Sequence, residues 1–105
     1  MSSDEGGPVV LDAMVRFLRP DEGGRMSAPA DEVRSQLRLG EVMSSCVVRT
    51  VDGAQQIALG VELAVQIELM FGNTYEAEAR RLTTIELYEG KKLVARGRVV
   101  SPRDD

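Results

Sequence analysis

Hydrophobic and polar residues alternate along much of the chain with a period of two, the pattern of strands buried on one face. In VVLDAMVRFL, Val9, Leu11, Ala13, Val15 and Phe17 fall on one side and Asp12, Met14 and Arg16 on the other, which predicts a strand from about Val9 to Arg19. The alternation is cleanest in VELAVQIEL, where Val61, Leu63, Val65, Ile67 and Leu69 oppose Glu62, Ala64, Gln66 and Glu68. Weaker runs are SQLRL, with Leu37 and Leu39, and VMSSCVVRT, whose β-branched and small residues favour an extended chain. TTIELY and KLVARGRVV make the last pair, joined at Glu89-Gly90-Lys91, where Gly90 supplies the positive φ of a short hairpin turn.

The segments between these runs carry turn chemistry. Asp52-Gly53 and Gly72-Asn73 are turn dipeptides, because glycine and asparagine enter left-handed conformations at little cost. Glu76, Ala77, Glu78 and Ala79 are not strand formers, so one helical turn is the alternative over Tyr75 to Arg81. Six strands at this spacing, with no long helix, predict an all-β fold: a closed or nearly closed antiparallel barrel. A chain of 105 residues has room for one core. The expected organisation is a flexible tail over 1–8, a single barrel domain over 9–100 and a flexible tail over 101–105.

Composition sharpens this picture. With 43% hydrophobic and 29% charged residues but only two Phe, two Tyr and no Trp, the core must be aliphatic. No apolar run approaches the ~20 residues that span a bilayer, and MSSDEGG lacks a basic stretch followed by an apolar one, so a cytoplasmic protein without membrane contact is expected. The single Cys46 cannot form an internal disulfide and reads as a small core residue in a reducing compartment. The absence of His removes the commonest proton shuttle and metal ligand, and no nucleophile stands beside a base. An enzyme is therefore not expected, nor a cofactor or a metal. Seventeen acids against thirteen bases give a net charge of -4, with arginines scattered among acids, so bulk neutralisation of phosphates is disfavoured.

The order of motifs LDAMVRFL, DEGGR, VRSQLRL, IALGVELAVQIEL and YEGKKLVARGRVV resembles the C-terminal barrel domain (domain III) of elongation factor Tu and related translation GTPases, over about Val9 to Val100. Glu22, Gly23, Gly24 and Arg25 match that family's E-G-G-R loop. Arg34 and Gln36 match the arginine and glutamine of its Y-R-P-Q-F strand, and Glu89, Gly90, Val94, Gly97, Val99 and Val100 match its closing R-E-G-G-R-T-V-G-A-G-V-V. The departures are equally informative. The family's T-P-F-F becomes SAPA at 27 to 30, Val33 and Ser35 replace the tyrosine and proline, and the P-G-D turn is Leu59-Gly60-Val61. No G-x-x-x-x-G-K-[ST] loop is present in the sequence, so GTP binding is not expected. The resemblance implies a free-standing barrel whose relatives help to hold aminoacyl-tRNA and pack against neighbouring domains.

Three functional classes follow. The favoured one is a non-enzymatic interaction barrel that binds a protein or a second copy of itself. Met14 and Leu18 lie on the face opposite Val15 and Phe17, and Met26 and Arg25 lie in the nearby loop, so these four are the candidate contact residues for a homodimer or other protein partner. The second class is an RNA or tRNA-linked accessory module using Arg25, Arg34, Lys91, Lys92, Arg96 and Arg98; by alternation, Arg96 and Arg98 share a face with Val94. The third is a small-molecule binder with ligand in the barrel mouth. For PDEGGR itself, the plainer reading is a turn in which Gly23 and Gly24 reverse the chain and Arg25 pairs with Asp21 or Glu22 in solvent.

Overall fold

The strand runs hydrogen-bond into one continuous cylinder in a computed structural model, which describes residues 9–100, with 72 and 73 by backbone alone. The elements are β1 (Val9–Phe17), a 3-10 turn (Pro20–Glu22), β2 (Val33–Leu39), β3 (Val42–Thr50), β4 (Glu62–Leu69), α1 (Gly72–Arg80), β5 (Thr84–Glu89) and β6 (Lys92–Val99). The expected tails lie outside the described residues. All pairings between the six strands are antiparallel, in the closed order β1-β4-β3-β2-β5-β6. Strands β2, β3 and β4 form a meander and β5 returns to lie beside β2, which is the Greek-key arrangement.

Register places the apolar faces together. Leu11 lies opposite Ile67 and Ala13 opposite Val65, while Val48 meets Ile67 from the other side and Leu37 meets Leu87. Phe17, Val15, Leu37, Val48, Ile67, Leu87 and Val94 are all fully buried, so the cylinder is filled by side chains. Ile57, from the β3–β4 connection, and Ala79, from α1, complete the packing at the ends.

Four local expectations need correction. Strand β1 stops at Phe17 rather than Arg19, because Pro20 fixes φ and starts the 3-10 turn, although the Leu18 amide still donates to the Val94 carbonyl at 2.9 Å. Val61, expected inside with Leu63, is 52% exposed; Gly60 turns at φ 77 and pairing starts only at Glu62. Gly72-Asn73 opens α1 instead of a simple reversal, and α1 is not one regular helix: its backbone leaves helical geometry at Tyr75 (φ -119, ψ 23), which kinks a first short turn against the helical turn expected beyond it. Glu76 and Arg80 brace it as an i,i+4 pair at 2.8 Å, and Ala79 and Tyr75 dock it on the core.

The fourth correction is to β6. Leu87 pairs with Ala95 but Tyr88 pairs with Leu93, so Val94 is an extra residue, a β-bulge. The alternation therefore changes phase there. Val94 turns inward, fully buried, whereas Arg96 and Arg98 are exposed on the outer surface and do not share its face.

Candidate interaction grooves

The PDEGGR segment is held largely by charged residues outside it. Glu22 accepts from the Arg19 amide and from the Arg16 guanidinium, each at 2.8 Å, and these contacts, with Arg16 foremost, hold its carboxyl below the usual range. Gly23 takes φ 87 to close the turn. Gly24 has a different reason: a Cβ there would stand 2.2 Å from the Leu18 carbonyl oxygen. Arg25 does not pair with Asp21 or Glu22 as expected. Asp21 holds Arg19 at 3.3 Å and Glu22 holds Arg16, so the Arg25 guanidinium reaches Glu89 at the end of β5 instead. Lys92 donates to the Gly24 carbonyl at 3.2 Å, a second tie between the loop and the last hairpin.

A first groove, of about 740 Å³, runs along the outer β1–β6 seam and is lined by Leu18, Leu93, Arg16, Arg96 and Arg98, with Glu22 and Glu62 also on its lining. Register explains the grouping: Glu62, Arg16, Arg96 and Glu86 form one cross-strand row over β4, β1, β6 and β5. A second groove, of about 410 Å³, opens where β2 and β5 part, since those strands pair only through Gln36 with Tyr88 and Leu37 with Leu87. Its lining includes Arg34, Gln36, Ser45, Met70, Phe71 and Tyr88. Phe71 is 60% exposed and Met70 44%. Ser35, also in the lining, is buried, and its hydroxyl has no hydrogen-bond partner among the described residues.

The sequence-derived candidates are thus divided. Of Met14, Leu18, Arg25 and Met26, only Leu18 lines either groove; Met14 is half-buried opposite Ala64, Met26 is exposed in the loop, and Arg25 is bound to Glu89. Among the possible RNA contacts, Arg96 and Arg98 line the first groove, Arg34 lines the second, and Lys91 is exposed in the hairpin turn. None of Met70, Phe71 and Tyr88 was among the contact residues expected from the sequence. The available signal was the adjacency of Met70 and Phe71 beyond the last inward residue of a clean strand.

Cys46 is buried, on the lining of the second groove, and that burial pushes its thiol up to about 12. At pH 8 about one molecule in ten thousand carries the thiolate there. An aromatic disulfide reagent should therefore find no reactive thiol in the folded protein at pH 8 and one per chain in urea. The sign of the linkage is also fixed. The folded state holds this proton more tightly than an unfolded thiol near 9.0, so its contribution is complete below pH 9 and is lost as pH rises towards 12. Cys46→Ala should accordingly show a shallower loss of stability than the native chain between those pH values in urea melts. Parallel slopes would contradict the assignment.

Among the described residues no group of three or more His, Cys, Asp or Glu is placed to hold a metal ion, and no helix is long and apolar enough to cross a membrane. No protein-family model matches the chain, and no curated protein sequence matches it.

Proposed function

We propose that this chain is a non-enzymatic interaction barrel, a free-standing relative of the C-terminal domain of elongation factor Tu, that docks a protein partner through the groove walled by Met70, Phe71 and Tyr88. The observation that carries the reading is the adjacency of Phe71 and Met70, 60% and 44% exposed, beside Tyr88 and Arg34. Aromatic residues, Met and Arg are the types enriched in the buried centres of protein interfaces. Arg34 has no carboxylate within ion-pair distance among the described residues, so its guanidinium is free for a partner. The partner is a protein in a reducing, cytoplasmic setting, with a second copy of the chain as the simplest case.

The competing readings have less support. A ligand inside the barrel would need space that Phe17, Leu37, Ile67 and Leu87 fill. An RNA surface needs a concentration of free cations, yet of the six candidates Arg25 is bound to Glu89, Arg98 stands 3.8 Å from Glu62 and Lys92 holds the Gly24 carbonyl, while Arg34, Lys91 and Arg96 lie apart in the second groove, the last hairpin turn and the first groove. The buried, protonated thiol of Cys46 gives a hydrolase no nucleophile.

The test is Met70→Ser combined with Phe71→Ser. These exposed changes should leave the melting temperature within a few degrees. They should also abolish recovery of the proteins that the native chain captures from cells, or, for a homodimer, halve the mass found by light scattering. Unchanged capture and unchanged mass would rule the groove out, and submicromolar tRNA binding at ~0.15 M salt would favour the RNA reading instead.

A further inference from the structure

The first groove poses an electrostatic problem that the fold alone does not solve. Arg96 lies directly opposite Arg16 in the β1–β6 ladder, and like charges so placed are destabilising. Arg16 is relieved by Glu22 at 2.8 Å, and Arg98 by Glu62 at 3.8 Å. Arg96 has no carboxylate within ion-pair distance among the described residues. Its other cross-strand neighbour, Glu86, is engaged by the Tyr88 hydroxyl at 3.1 Å and by Arg38 at 3.7 Å. An uncompensated guanidinium therefore stands over a groove that also presents two half-buried leucines, Leu18 and Leu93.

We propose that this β1–β6 groove is a docking site for an acidic segment of a partner protein, one in which a carboxylate-bearing residue neighbours an apolar side chain. The planar fork of Arg96 matches a carboxylate, and the neighbouring Arg16 adds to the local positive potential. Leu18 and Leu93 offer the apolar side chain its contact, and about 740 Å³ is ample for a few residues. The carboxylates of Glu22 and Glu62 select against a polyanion: a nucleic-acid strand would bring successive phosphates against both, whereas a peptide places one or two charges at Arg96 alone. This site does not depend on the Phe71 groove. The two grooves share no lining residue, so a substitution in one leaves the other in place and the two readings can fail separately.

The experiment uses a fluorescein-labelled heptapeptide of alternating leucine and glutamate, titrated by anisotropy at low salt, with a glutamine-for-glutamate version and a labelled heptauridylate as comparisons. The acidic peptide should bind saturably and lose affinity as salt rises, and the glutamine version should bind at least tenfold more weakly. Arg96→Gln should weaken the acidic peptide roughly tenfold, while Arg81→Gln, which removes the same charge at the end of α1, should change it less than about twofold. Because Arg96 faces Arg16, Arg96→Gln should not lower the melting temperature, which a purely structural arginine would. Absence of saturable binding, equal effects of the two substitutions, a melting temperature lowered by Arg96→Gln, or tighter binding of the heptauridylate would each overturn the proposal.

Discussion

Phe17→Ala is expected to remove about 3–5 kcal/mol of stability, close to the whole margin of a small domain. Phe17 is fully buried and is the largest such side chain in the barrel. It closes one end of the core where three segments meet: Ala95 of β6 lies opposite it, Leu59 bridges to it, and its carbonyl accepts the Gly60 amide at 2.7 Å. A small residue facing a large one leaves nothing nearby to fill the space that the ring vacates. The alanine variant should melt about 12–40 °C lower, since each kcal/mol shifts the midpoint of a domain this size by about 4–8 °C. Phe17→Leu, which keeps most of the volume, should cost about a third as much. Circular dichroism melts of both variants are the check, and an alanine variant within 1 kcal/mol of the native chain would mean that the end of the barrel can collapse around the gap.

The same residue illustrates what was legible in the sequence. Phe17 is the last of five alternating inward positions in β1, and five such positions identify a strand without knowledge of its neighbours. Strands β2 to β6 were likewise visible, because a side chain's face in a regular strand depends only on its own position in the run. What failed were features decided elsewhere. Val94 looks like any other apolar residue of β6, and only its pairing against Leu87 and Tyr88 turns it into a bulge and sends Arg96 and Arg98 outward. The Gly72-Asn73 dipeptide has turn propensity, but its backbone enters a helical turn that a kink at Tyr75 separates from the helix formers docked through Ala79.

The grooves were hidden for a related reason. Arg25 has two acids within four positions, yet it bonds Glu89, sixty-four positions away, because those nearer acids are taken by Arg16 and Arg19. Local sequence names the charges but not their partners. The uncompensated Arg96 emerges only when every other arginine around it has been assigned. The Phe71 groove depends on the parting of β2 from β5 beyond Gln36, and nothing in either strand's own pattern announces it.

Gly97→Ala is expected to destabilise the barrel by about 3 kcal/mol, the upper end of the usual range for overpacking, and to lower the midpoint by about 10–20 °C. The cause is backbone proximity rather than a turn. A Cβ at Gly97 would stand 2.1 Å from the Met14 carbonyl oxygen and 2.8 Å from the Val15 Cα, both main-chain atoms of the facing strand. No rotamer change can relieve that contact. Strand β1 must draw back from β6, which loosens the seam that closes the cylinder. The amides of Leu18, donating to Val94 at 2.9 Å, and of Val100, donating to Asp12 at 2.8 Å, flank this point and should lose hydrogen-exchange protection before amides of the β2–β3 ladder do. Gly53→Ala provides the comparison: its Cβ would meet nothing within 4 Å, so only the left-handed φ of 82 is penalised, at about 1–2 kcal/mol. Equal losses for the two substitutions, or uniform loss of protection around the barrel, would show that the β1–β6 seam yields to a methyl group and that close approach is not why glycine stands at position 97.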